Sequence, residues 1–514
     1  MNPEQRRLIF AFAAIVVVMF LWTMLSKPPA RKSMPAPTDQ TSTVPGDTAR
    51  PVLPGSAASV IPQDTITVER DAYRLILTSA GASVQGFYLK KYKVNIVPDN
   101  SCLFVSENLK DGKAVVFTPL VTDDSVVFTH DAGKVAVRKV YHFDKPDGFS
   151  LAMTAFDKKT GASIDMDSVA AVMDLRAGLR ITELQNRGDD LRYFGVYAKT
   201  SKVVNITKEI KDELDYAGAW EWLAFRNKYF LLAIRNLGTM EQTTFFKLPA
   251  PAVVKKTTAG FGCAFMSAAA SVYGAQLVSR RGFDLCVILL PLRQADLARY
   301  GQGFEHVLGG GIWGPIARVI LLFFNLMYRL FRNYGVAIIV FAILLKAIFF
   351  PLSRQMIISQ HKMQMLQPEM KKVQAKYKND PQALNQEMMH LYKVYKVNPF
   401  SGCLPLIIQM PVFFALYQTL GTSIEFRQAP FMLWLTDLSV KDPYYVLPIG
   451  MGVMMLIQSL MTTVDPRQRL LVFLMPVFMI FIFLNLPSGL QLYWFAYNIL
   501  TLLENYITKK GGIK

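Results

Sequence analysis

The sequence predicts a polytopic α-helical membrane protein of six transmembrane helices that carries a β-sandwich domain outside the cytoplasmic membrane. Three observations carry this. Of the 514 residues 52% are hydrophobic and the mean hydropathy is +0.25, high for a soluble chain. Apolar stretches recur at residues 8–25, 334–352, 402–424, 444–464 and 470–503. Between the first and second lies a long segment of short alternating runs, the pattern of strands joined by turns.

The first stretch, within residues 1–26, exceeds the roughly 7 to 15 apolar residues of a cleaved signal, and Ser26-Lys27-Pro28-Pro29 offers no cleavage pattern. A retained anchor is expected. Residues 27–63 hold eight prolines among Ser, Thr, Ala and Gly, a composition that buries no core and acts as an extended tether. Residues 64–300 then read as the sandwich. Alternation in Tyr73-Arg74-Leu75-Ile76-Leu77, followed by Gly81, marks strands within 66–92, with others at 114–118, 125–129, 134–143, 150–156 and 283–290. No metal-ligand spacing, phosphate loop or nucleophile elbow occurs there, so no enzymatic chemistry and no cofactor are expected.

Past Arg293 the pattern turns helical. Residues 316–331 are apolar on most faces, with Arg318, Arg329 and Arg332 on the rest, which predicts an amphipathic helix lying in the outer interface over the region 301–332. The alternative is a further span. The apolar run 334–352 is interrupted by Lys346, and the run 470–503 is split by Leu486-Pro487-Ser488-Gly489 into two helices, 470–486 and 488–503.

Charge sets the orientation. Residues 353–400 carry eight Lys or Arg against three Asp or Glu, whereas 425–442 carry two against three, so the first loop faces the cytoplasm. Arg6, Arg7, Arg467, Arg469, Lys509 and Lys510 fall on the same side, which puts both termini inside and the long segment from residue 27 to about 310 outside. The net charge of +18 is thereby assigned to topology rather than to nucleic acid.

The cytoplasmic loop 353–397 is predicted to be a helical hairpin. Met363, Leu366, Met370, Val373 and Tyr377 form one apolar stripe, and Leu384, Met388, Leu391 and Tyr395 form another. Asp380 is placed as N-cap and Pro381 at the first helical position of the second arm. The lysine-rich faces suit anionic phospholipid headgroups or a ribosome, and Met363, Leu366, Met370 and Met388 suit contact with varied apolar segments, Met being flexible and polarizable. A solvated loop that only sets topology is the alternative.

Lys346 is a charge inside a span, where a lysine costs about 2.5 to 3.5 kcal/mol on insertion scales. It lies eight residues before Arg354, about 12 Å along a helix, in the inner half of the membrane. Either its amine snorkels to the headgroups or it serves an aqueous pathway. No Asp or Glu falls within the predicted spans, and Gln409, Gln418, Gln458, Asn485, Gln491, Tyr493 and Asn498 supply polar atoms that need partners. Cys102, Cys263 and Cys286 are an odd number in an oxidising compartment and specify no disulfide framework; Cys403 falls in a span.

These motifs together resemble a family. Asn333-Tyr334-Gly335, Leu366-Gln367-Pro368, Val397-Asn398-Pro399 followed by Gly402-Cys403-Leu404-Pro405, Gln409-Met410-Pro411-Val412-Phe413 and Pro487-Ser488-Gly489-Leu490-Gln491-Leu492-Tyr493-Trp494 resemble YidC insertases, in the family's order over residues 314–506. The resemblance implies a five-helix core over 333–506, a periplasmic β-sandwich of the Gram-negative type, and insertion of nascent inner-membrane proteins, alone or beside the Sec translocon, without nucleotide hydrolysis. No Walker motif is present, in agreement.

It also implies that Lys346 stands where the family has an arginine facing a water-filled groove, and that Gln409, Met410, Phe413, Tyr493 and Trp494 lie along the substrate path. Lysine keeps the charge but lacks the planar fork that grips a carboxylate at two points. The short tail after Lys509 leaves ribosome contact to the hairpin and to residues 466–469. The rival functions are a secondary transporter using an intramembrane cation and a sugar-binding role for the sandwich, the latter resting on fold analogy alone.

Overall fold

The computed structural model describes residues 64–108, 112–166, 171–183, 190–217, 220–238, 242–249, 271–308, 313–377, 380–395, 397, 404–462 and 469–510. The expected first span, the Pro-rich tether, Cys263, Cys403 and residues 466–468 lie outside them. The chain divides into two units near Gly310.

The first unit is β-rich. A four-stranded sheet follows chain order through Thr65–Glu69, Tyr73–Thr78, Ser83–Leu89 and Val94–Asn95. A ten-stranded sheet has Phe230–Asn236, Phe283–Pro291, Gly148–Asp157 and Val135–Lys145 at its centre, all antiparallel. A five-stranded sheet includes Gln242–Pro249 paired with Ser271–Val278. Period-2 alternation explains how the large sheet is buried on both faces. Leu223, Phe225, Leu232, Ile234, Leu285 and Val287 point into a core shared with the two smaller sheets, through Leu75 and Phe87 of one and Phe245 and Leu277 of the other. Trp222, Ala224, Leu231, Ala233, Ile288 and Leu290 point the other way, onto helix α1 (Gln294–Ala298) and the turn Phe304–Leu308. Strands covered on both sides read as unbroken apolar runs, such as Phe230-Leu231-Leu232-Ala233-Ile234.

The expected strand at 114–118 is the exception. Ala114 bridges to Glu107 and Val116 to Ala80, so the segment switches partners instead of forming a ladder, and a regular strand begins only at Thr118–Val121. Gly81 sits beside this switch at φ +66°, and a Cβ there would come within 2.5 Å of Val105 Cγ1. Its carbonyl accepts from the fully buried Lys139, whose Nζ also donates to Phe104 O (2.5 Å) and Ser106 Oγ (2.9 Å). Burial drives the Lys139 amine well below its usual range.

The second unit is helical. Helices α2 (Gly314–Phe331) and α3 (Tyr334–Met365) are each long and apolar enough to cross a membrane. Asn333 caps α3 by accepting from Val336 N at 3.1 Å, while its own amide donates to Phe431 O. The Phe431 ring lies so close over Gly335 that a Cβ would meet it at 2.1 Å, a physical reason for glycine in that motif. There follow α4 (Gln367–Lys376), α5 (Pro381–Val394), α6 (Leu404–Thr422), α7 (Val446–Thr462), α8 (Arg469–Phe483) and α9 (Ser488–Lys510). Helix α9 packs on α3 and α7, and α8 packs on α7.

Three boundaries differ from expectation. The second apolar run does not end at residue 352, because α3 continues through the first stretch of the loop and breaks only at Leu366, where Pro368 at the start of α4 denies the next helical hydrogen bond. Met363 and Met370 therefore sit on different helices. Helix α8 stops at Phe483, three residues short of 486, and the Gln491 side chain donates to the carbonyl of Phe483 (2.8 Å), its last residue, and to Leu486 O (2.9 Å) in the turn that follows. The last helix runs on past 503 to Lys510. Asp380 caps α5 as expected, accepting from Gln382 N and Ala383 N, both at 3.0 Å.

Candidate functional site

Helix α9 carries a row of polar residues on one face. Tyr493, Tyr497, Thr501 and Glu504 recur every three or four residues and so line up along the helix. Opposite them on α3 stands Lys346. Its Nζ lies 2.6 Å from Glu504 Oε2 and donates to Thr501 Oγ1 at 2.9 Å, and it sits 4.8 Å from the centre of the Tyr497 ring. The two charged side chains are 9% and 4% exposed. Ser353, two turns further along α3, donates to the same Glu504 Oε2 at 2.7 Å. The other carboxylate oxygen, Glu504 Oε1, is buried with no hydrogen-bond partner among the described residues.

The row continues upward. Tyr493 and Tyr497 have ring centres 6.0 Å apart, and Tyr493 is fully buried with its hydroxyl accepting from Gln409 Nε2 of α6 at 2.5 Å. Next to it Trp494 meets Phe413 edge-on at 5.6 Å, and both approach Phe483 of α8. Five of the six expected residues thus fall into two groups. Lys346, Gln409 and Tyr493 belong to one polar row, while Phe413 and Trp494 form an aromatic cluster beside it. Met410 is half-buried, one residue along α6 from Gln409. The hairpin residues are elsewhere in the unit: Leu366 is buried at the α3–α4 junction, and Met363, Met370 and Met388 are half-buried.

Gln491 and Asn498 serve the helices themselves. Gln491 closes the end of α8, and Asn498 donates to Trp494 O within α9 at 2.9 Å. The outer surface is apolar in the opposite sense to a soluble bundle: Ile343, Ile348, Phe350, Ile449, Val453, Phe473, Val477 and Phe481 are all exposed. Such a surface matches a hydrocarbon solvent.

The sequence reading missed Glu504, which lies one residue beyond the predicted span 488–503 but within α9, where it pairs with Lys346. Counting a span stops at its first charge, and Glu504 directly follows Leu503. A signal was present. Glu504 stands five residues before Lys509 and Lys346 eight before Arg354, which puts both opposite charges within about two helical turns of the basic edge.

An apolar-surfaced helical unit with a buried ion pair, joined to a β-rich unit, defines an integral membrane protein with a large extramembrane domain. A family profile described as 60Kd inner membrane protein matches residues 326–514. The membrane protein insertase YidC of Citrifermentans bemidjiense is 34% identical over 86% of this chain and 85% of its own length, and that of Geobacter metallireducens is 32% identical over 98% of each. A crystal structure of an active YidC insertase with its first transmembrane domain resolved covers 87% of this chain and 93% of its own, at 17% identity and a TM-score of 0.42. The chain belongs to the YidC membrane protein insertase family. It is an inner-membrane protein that inserts other proteins into the membrane.

Proposed function

We propose that insertion proceeds through a polar groove at the Lys346 row, whose cation is paired with Glu504 at rest, into which a client's hydrophilic segment is drawn while its apolar segment slides along the aromatic cluster. The supporting observation is the Lys346 cluster itself: a cation, two hydroxyls and a carboxylate gathered between apolar helices. A polar client segment entering bare hydrocarbon loses its hydrogen bonds to water, at several kcal/mol per unsatisfied group. Groups that substitute for that water lower the barrier part way across. Met410, Phe413 and Trp494 offer soft and aromatic surface beside the row, with Gln409 and Tyr493 as its upper polar members.

The same reading places six spans in the membrane with both termini cytoplasmic. Residues from 27 to about 310 are then periplasmic, and α2 lies in the outer interface with Arg318 and Arg329 at its polar edge. The α4–α5 hairpin, with Lys371, Lys372 and Lys376, meets anionic phospholipids and the ribosome, and Sec translocon components act beside the helical unit on shared clients.

Purified chain reconstituted alone in liposomes tests the groove, with protease-protected insertion of a small single-span client as the measurement. Lys346→Arg is expected to insert like the native chain. Lys346→Ala and Lys346→Glu are expected to lose about tenfold or more, the scale of a 1.4 kcal/mol loss. A Lys346→Ala chain that inserted every client at the native rate would overturn the proposal.

A further inference from the structure

We infer that Glu504 is a resident counter-ion that holds Lys346 between clients and sets how strongly the groove favours acidic client segments; this rests on the groove reading proposed above. The two carboxylate oxygens of Glu504 are engaged unequally. Oε2 receives both Lys346 Nζ, at 2.6 Å, and the Ser353 hydroxyl, at 2.7 Å, whereas the buried Oε1 has no partner among the described residues. Most buried polar atoms in native proteins are hydrogen-bonded, so an unpartnered oxygen on a buried, ion-paired carboxylate is uncommon. Glu504 is held by one edge.

The cation is held in a similarly replaceable way. An ammonium has three donors, and here two of them meet Glu504 and Thr501 while the Tyr497 ring lies 4.8 Å away. A client carboxylate approaching Lys346 therefore competes with Glu504 for the same proton donors. When it wins, the ion pair is exchanged rather than created, and Glu504 keeps the Ser353 hydrogen bond. An acidic client is attracted only by the difference between its own carboxylate and the resident one. A neutral polar client, which cannot displace Glu504, meets a groove whose net charge at this point is zero. Glu504 is accordingly a positioning residue that acts through Lys346 and lowers the groove's discrimination in favour of acid.

The test compares two single-span clients that differ by one residue in the translocated tail, Asp in one and Asn in the other, inserted by full-length chain in liposomes. The readout is the ratio of Asp-client to Asn-client insertion. Glu504→Gln removes the charge while keeping size and an acceptor for Lys346 and Ser353, and the ratio is expected to rise about fivefold, the scale of one ion pair in partial water. Glu504→Asp draws the carboxylate back by one methylene and is expected to raise the ratio by less; it carries the test if Glu504→Gln does not reach the membrane folded. In Lys346→Ala the ratio is expected to fall below the native value.

A ratio that falls in Lys346→Ala but stays native in the Glu504 variant would overturn the counter-ion role and leave the groove intact. A ratio that does not change in Lys346→Ala would overturn both. Equal loss of both clients in Glu504→Gln, restored by Glu504→Asp, would assign Glu504 to structure alone and overturn the inference.

Discussion

Each unit of the molecule buries a lysine–glutamate pair, and the two carboxylates are engaged differently. In the β-rich unit Lys228 and Glu183 are 0% and 4% exposed. Glu183 gives Oε2 to Lys228 at 2.8 Å and Oε1 to the Tyr229 hydroxyl, so both oxygens are occupied. In the helical unit Lys346 and Ser353 share one oxygen of Glu504 and the other is unpartnered. Similar burial thus yields one closed pair and one half-open pair. The difference teaches that burial alone does not distinguish the two pairs; the engagement of the second carboxylate oxygen does.

The sharpest way to break this comparison is to open the closed pair. Lys228→Ala strands a buried Glu183, and removing one partner of a buried pair costs about 3–5 kcal/mol. Thermal unfolding of the full chain in detergent should show the first unit melting well below its native midpoint. The acidic-to-neutral client ratio should stay at its native value. A native melting profile would show that the Glu183 pair is as replaceable as the Glu504 pair is argued to be.

A third buried carboxylate sharpens the comparison through pH. Glu107 lies beside Asp174, with Arg176 bridging the two at 3.2 and 2.9 Å, and burial followed by repulsion from Asp174 raises its pKa to about 7. Below about pH 4.5 the acid is protonated in both folded and unfolded chains. Between there and pH 7 the folded chain retains a proton that the unfolded chain releases, so stability falls as pH rises. Glu107→Gln should remove this slope and leave the chain about 1–3 kcal/mol more stable than native at pH 8, read from denaturant unfolding at a series of pH values. An unchanged slope would show that Glu107 is not the group responsible.

The smallest effect belongs to an exposed carboxylate. Asp380 only caps α5, and Asp380→Ala should cost about 1 kcal/mol locally. Hydrogen exchange at Gln382 and Ala383 should quicken by about fivefold, with the amides of α3 unaffected. Unchanged exchange would mean that the cap contributes nothing in the intact hairpin.

Legibility in the sequence followed the range of the interactions. The Asp380 cap, the turn at Pro487-Ser488-Gly489 and the central strands were readable because local spacing and turn chemistry determine them. The partner switch at 114–118 was not, since its bridges to Ala80 and Glu107 come from distant parts of the chain. Lys346 was found by its cost in an apolar stretch. Glu504 was not, because a helix end is defined by hydrogen bonds that continue past the first charged residue, and its partner Lys346 lies far away in the chain. Gln491 was recognised as polar and buried, but its service to the end of α8 depends on where that helix stops.

Helix α3 carries a mechanical consequence. Its 32 residues make a rod of about 48 Å, running without a break from the Asn333 cap to the base of the hairpin. Lys346 and Met363 are points on one beam, so a load applied at the hairpin arrives as a bending moment on the same helix that holds the cation. Pro351, five residues past Lys346, has no N–H to bond the carbonyl of Ala347 and is the compliant point of the beam. Bending concentrated there shields the Lys346 turn, keeping the ion pair in register while the hairpin end is pulled.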